Sequence, residues 1–199
     1  MTGEFAVILR GTEDHGQGPG IVHLTARPGA AVVGEHFHPN MIERFTVVSG
    51  RLDASIAGQT FSLGPGQSAT VEAGVVHDWW NSSKTEEAHV LIEIERAQGA
   101  DHIDSNRFEL LIGMLFGLAN AGRVDKKGRP FLLQAAVIAR EFADVIVFTQ
   151  PPPAVQRVAL AILAPLASLL GYRAIDPDFC RPHARVTPAP EILALVAER

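Results

Sequence analysis

Three side chains in one short stretch have the right types and spacing to hold a transition metal. In GAAVVGEHFHPNMIERFTVVSG, from Gly29 to Gly50, His36 and His38 stand two apart, Glu43 follows after four residues, and Gly50 after six more. A second stretch, GQSATVEAGVVHDWWN from Gly66 to Asn81, adds His77. Imidazole nitrogens and a carboxylate are ligand types for a divalent transition ion, which could polarise a carbonyl or enolate, or bind dioxygen beside a substrate.

Such a site needs elements that bring the four side chains together. The first half supplies short apolar segments bounded by Gly, Pro, Asn or Ser: Phe5–Leu9, Ile21–Ala26, Val32–His38, Glu43–Val48, Arg51–Ala57, Gln59–Leu63, Ser68–Val71, Val76–Asn81 and His89–Glu95. Many short strands at close spacing predict an all-β sandwich or barrel. Arg27-Pro28-Gly29 is a turn signal. Residues two apart on a strand share a face, so His36 and His38 point together and Glu43 shares a face with Phe45 and Val47. His77, Trp79 and Asn81 likewise share a face, opposite Asp78 and Trp80. One inward face can therefore carry three imidazoles, a carboxylate and an aromatic wall. Trp79, Phe45 and Asn81 are the candidate pocket residues, although Phe45 fits the core equally well, with Ile56, Phe61 and Leu63. His15, His23, His89 and His102 lack ligand spacing. Glu72 reads as a solvated turn residue, and Arg51 and Asp53 as solvent-facing.

These two stretches resemble the paired motifs of the cupin superfamily. The first motif is matched by His36, His38, Glu43 and Gly50, the second by Gly66, Gly74, His77 and Asn81, across roughly residues 20–96. Two positions depart from the pattern: Glu72 stands where the family usually has Pro, and Gly29 lies one residue farther from His36. The resemblance implies a jelly-roll β-barrel. It also implies that His36, His38, Glu43 and His77 bind iron, manganese, nickel, copper, cobalt or zinc, with coordination positions left open for a small-molecule substrate. Homodimers are a habit of the family.

The second half has a different character. Residues 1–99 carry 6 Lys and Arg against 12 Asp and Glu, whereas residues 100–199 carry 11 against 10. That asymmetry predicts two modules, a barrel over 1–99 and a helical extension over 100–199, α+β overall. Asp104 or Ser105 can cap a helix over Arg107–Ala121. Further helices are predicted over Phe131–Thr149, over Ala154–Leu170 with a disturbance at Pro165, and over Glu191–Glu198. Pro151-Pro152-Pro153 separates the middle two, and the basic linker VDKKGRP precedes them. The apolar helices suit packing or dimerisation.

Composition excludes several classes. An apolar fraction of 47% fits a globular protein, and a net charge of −5 disfavours nucleic acid as partner. No helix-turn-helix with a basic recognition helix is present. A membrane span needs about 20 apolar residues, and Val158–Leu170 is only 13 residues long, with Pro165 and Ser168 inside it. Cys180 is the only cysteine, so no intrachain disulfide forms. The start MTGEFAVILRGTED lacks a signal-peptide pattern, which predicts a cytoplasmic protein. The leading reading is a metal-dependent enzyme, a dioxygenase or an isomerase, acting on a small organic molecule. A non-catalytic sensor with a helical dimerisation module is the alternative. A storage-type barrel is disfavoured, since those commonly lack a complete ligand set.

Overall fold

A computed structural model describes residues 5–11, 19–31, 34–100, 106–126, 128–180 and 188–197. The predicted caps Asp104 and Ser105, and also His15 and His102, lie outside these residues.

Two five-stranded antiparallel sheets face each other. The first holds β1 (Phe5–Arg10), β2 (Gly20–Ala26), β9 (Ala88–Arg96), β4 (Met41–Ser49) and β7 (Ser68–Val71), in that order. The second holds β10 (Val147–Phe148), β3 (His36–Phe37), β8 (His77–Trp80), β5 (Leu52–Ile56) and β6 (Gln59–Leu63). Period-two alternation drives the pairing. On β4, Met41, Glu43, Phe45 and Val47 are buried while Arg44 is exposed. On β9, Ala88, Val90, Ile92 and Ile94 join the barrel core. Leu91, on the opposite face, packs with Ile21 beneath Ile192 of α5 (Pro190–Ala197). Burial on both faces explains why β9 reads as a nearly continuous apolar run.

Gly50 closes the turn between β4 and β5 with φ +77°, and a Cβ there would meet the Glu87 carbonyl oxygen at 2.2 Å. Only glycine fits both constraints. Asp53, expected in solvent, is 6% exposed because Ser62 and Arg51 both donate to its carboxylate.

The helices are not a separate layer. α1 (Arg107–Asn120) contributes Phe108, Leu111, Met114 and Leu118 to the same core as the barrel strands. Its Gly117 lets α4 (Pro177–Cys180) approach, with the Phe179 carbonyl oxygen 2.6 Å from where a Cβ would stand. α2 spans Leu132–Glu141 and α3 spans Pro153–Leu169, continuous through Pro165.

The helix expected over Phe131–Thr149 is corrected: it ends at Glu141. Phe142 and Val145 are drawn into the barrel core, each 0% exposed, and Val147–Phe148 then pairs with β3 as the edge strand of the second sheet. The β-branched run Val145-Ile146-Val147 favours extended backbone over helix. No helix among the described residues is long and apolar enough to cross a membrane.

Candidate metal centre

β3 and β8 place two of the imidazoles directly opposite each other, with His36 in register with His77. His38 follows β3, and Glu43 comes from β4 in the facing sheet. His36, His38, Glu43 and His77 are 2%, 3%, 4% and 1% exposed. One ligand atom from each lies within 4.8 Å of those from the other three.

The hydrogen bonds fix which nitrogen faces the centre. His36 Nδ1 lies 2.6 Å from the Gly34 carbonyl, His38 Nδ1 2.6 Å from that of Val145, and His77 Nδ1 3.0 Å from that of Val75. A carbonyl only accepts, so each Nδ1 carries the proton and donates, and each Nε2 is the nitrogen turned inward. Metal-binding histidines are oriented in this way. The buried Nε2 of His38 has no hydrogen-bond partner, although Glu43 Oε2 is 3.3 Å away. The four side chains therefore fit a transition-metal ion.

Charge is balanced inside this cluster. Burial alone would raise the Glu43 pKa, but the adjacent His38 and His77 rings outweigh it and hold the carboxyl well below its usual range. Burial pushes His36 down to about 4, against the opposing charge of Glu43, so at neutral pH it is an uncharged imidazole. For His77 burial lowers the pKa, yet the hydrogen bond donated to Glu43 Oε2 at 2.8 Å leaves it raised. That Nε2 proton sits where a metal ion would bind, so metal and proton compete for His77.

A cavity of about 80 Å³ opens beside the cluster, bounded by His36, His38, Glu43 and Trp79. The remaining wall is apolar, and α1 supplies Phe108, Leu111, Ile112, Leu115 and Phe116 to it. α1 thus covers the site. Trp79 lines the cavity. Phe45 stands behind it, with ring centroids 5.6 Å from Trp79 and 6.1 Å from His77, and supports both without lining the space. Asn81 also turns elsewhere: the two N–H groups of its Nδ2 are shared among the carbonyls of Ala26, Arg27 and Glu86, clamping two loops. Its buried amide has more to gain from three backbone acceptors than from an apolar cavity. His23 and His89 stack together at 5.4 Å outside the cluster, and Glu72 is exposed.

Spacing arguments could not reveal the α1 residues or the Val145 carbonyl. The signals for them were an α1 segment, RFELLIGMLFGLAN, apolar around most of its circumference, and the β-branched run after α2.

Residues 22–94 match the family model described as Cupin domain. The matched residues lie within the paired five-stranded sheets, and a helical C-terminal region follows them in this chain. No curated protein matches the chain. Among solved structures, it is similar to the cupin domain of an XRE family transcriptional regulator from Enterobacter cloacae, at 22% identity and a TM-score of 0.41, covering 48% of this chain and 98% of that one. A sugar phosphate isomerase from a cupin superfamily of Silicibacter pomeroyi aligns at 24% identity and 0.42, over 49% of this chain and 62% of the other, less than two thirds of its length. A predicted oxalate decarboxylase of Thermotoga maritima aligns at 20% and 0.44, over 47% and 81%.

Proposed function

We propose that this protein is a metal-dependent cupin enzyme that oxidises a small, mainly apolar organic molecule with dioxygen. The carrying observation is the convergence of three backbone-oriented imidazoles on Glu43 at one end of an otherwise apolar cavity. His36, His38, Glu43 and His77 would hold the ion. When bound, a transition metal with open coordination positions supplies a place for substrate and dioxygen to meet. The protein's own contribution is to orient the ligands, to exclude water through the α1 wall, and to shape the substrate with Trp79.

Two features favour oxidation over isomerisation. Apart from the ligands themselves, no described residue lining the cavity can act as a general acid or base, which an isomerase needs. No Lys or Arg among the described residues lines it either, so none of them would receive a phosphate there.

Elemental analysis of the purified protein tests the metal. A divalent transition ion in wild type, lost in His36→Ala and His77→Ala, is the expected result; equal trace metal in all three overturns the proposal. Oxygen uptake with small diketones and catechols tests the reaction. No uptake by iron-, nickel- or copper-loaded protein would favour the ligand-sensing alternative, for which the enclosed α1 wall is equally suited.

The homodimer belongs to this reading. Val155, Val158, Ile162, Leu166 and Leu169 recur every three or four residues on α3, all exposed and with no charge among them. Such a stripe is self-complementary across a two-fold axis. A monomer mass by light scattering overturns it.

A further inference from the structure

Both histidines of the His-x-His pair hang on a weak support. β3 is two residues long and pairs with β8 at a single position, His36 against His77. Its other neighbour is β10, where Phe37 pairs with Val147 and His36 with Phe148. The short strand that carries His36 and leads into His38 is therefore held on one side by a segment more than a hundred residues later in the chain.

That segment, from Phe142 to Thr149, grips β3 along its length. The Val145 carbonyl accepts from His38 Nδ1 at 2.6 Å. Asn40 Nδ2 donates to the Asp144 carbonyl at 3.0 Å, and the Thr149 amide donates to the Glu35 carbonyl at 3.2 Å. The segment is itself anchored to α1 by one cation. Arg107 approaches Asp144 with both Nε and a terminal nitrogen, at 2.6 and 2.7 Å, and its other terminal nitrogen donates to Glu141 at 3.2 Å. Its guanidinium also lies over the Phe142 ring, 5.0 Å from the centroid.

We propose that Arg107 and Asp144 are positioning residues for the metal centre: their ion pair fixes the strap whose Val145 carbonyl sets the orientation of His38. The planar guanidinium spans two carboxylates and a ring, which a lysine could not do. Arg107 begins α1, and α1 walls the cavity. The residue that holds the strap therefore also holds the cover, and substrate access and ligand geometry share one anchor. Arg107 touches neither metal nor cavity; it acts through the strap.

This inference rests on the reading of the four buried residues as a metal site, and the experiment separates the two. Cobalt(II) is titrated against a chelator into wild type, Arg107→Gln, Asp144→Asn, His36→Ala and the control Arg129→Gln, which breaks an exposed ion pair in a distant turn. The visible spectrum of bound cobalt is recorded for each. Loss of a partner that orients a ligand typically weakens metal binding about 10–100-fold, and that loss with an altered spectrum is expected for Arg107→Gln and Asp144→Asn. Arg129→Gln should match wild type. If wild type and Arg107→Gln bind cobalt equally well with the same spectrum while His36→Ala does not bind, the strap proposal fails and the metal site stands. If wild type takes up no cobalt, both fail. Should the Arg107 and Asp144 variants not fold, Asn40→Ala removes the strap's other clamp and carries the same expectations.

Discussion

His38 donates from Nδ1 to the carbonyl oxygen of Val145, 107 positions later in the chain, at 2.6 Å. A ligand on the barrel is thus oriented by backbone from the helical half. The geometry of the proposed metal site consequently depends on both halves of the chain, and a fragment ending at Ala100 should lose it. That fragment would also expose the core face covered by Phe108, Leu111, Met114 and Leu118. Expressed alone, it should be aggregated or should melt well below the full chain, with cobalt affinity reduced at least tenfold if soluble. A soluble fragment with full cobalt affinity would show that the strap and cover are dispensable.

Gly50 makes a second prediction, this one on stability. Gly50→Ala places a methyl 2.2 Å from the Glu87 oxygen and forces a left-handed conformation on a residue with a side chain. Each of these faults is costly, and together they should lower stability by about 2 kcal/mol or more. Urea unfolding of wild type and variant measures the difference. Gly58→Ala is the comparison, since its φ is +78° but no atom lies within 4 Å of the added carbon. Gly58→Ala should therefore be the milder of the two.

The strands and the clustering of the four side chains were legible in sequence because both obey period two. His36 with His38, Glu43 with Phe45, and His77 with Trp79 each fall on one face by alternation alone, and the strands occur where turn residues bound them. The sequence placed Asn81 on that inward face too, but an amide can satisfy itself on nearby carbonyls, and three were within reach. The strap was misread as helix because apolar spacing does not separate a helix from a short buried strand. Its β-branched residues were the better guide. What pairs with an edge strand, and what covers a barrel mouth, are long-range matters that no local pattern encodes.

Protein stripped with chelator should show opposed pH effects from two of its ligands. His36 has a folded pKa of about 4 against an ordinary 6.5, so the unfolded chain binds its proton more readily. Its effect is to lower stability as pH falls from about 6.5 to about 4, by on the order of 3 kcal/mol in full. His77 is raised, so its contribution is complete below about 6.5 and is lost as pH climbs through its folded value. Glu43 is depressed and adds a further loss on acidification, below the ordinary carboxylate range. Urea midpoints at several pH values should fall on the acid side in wild type, and less steeply in His36→Gln. An equal acid slope in both would refute the assignment to His36.

The α1 wall should set substrate size without touching the metal. Leu115 lines the cavity and belongs to no ligand's hydrogen-bond network. Leu115→Ala enlarges the space and should cost about 2–3 kcal/mol of stability, the lower part of the usual range for such a truncation because the side chain is only partly buried. Leu115→Trp fills the space instead. Both variants should keep wild-type cobalt affinity and spectrum, since the four ligands and the strap are unchanged. Turnover should then divide by size: Leu115→Trp should lose activity on any substrate the wild type accepts, by tenfold or more, and Leu115→Ala should gain activity on bulkier analogues. If the two variants keep the wild-type order of preference across a graded substrate series, α1 does not shape the substrate. Cobalt affinity changed by either variant would instead place Leu115 in the support of the ligands, a role that its position in the cavity wall argues against.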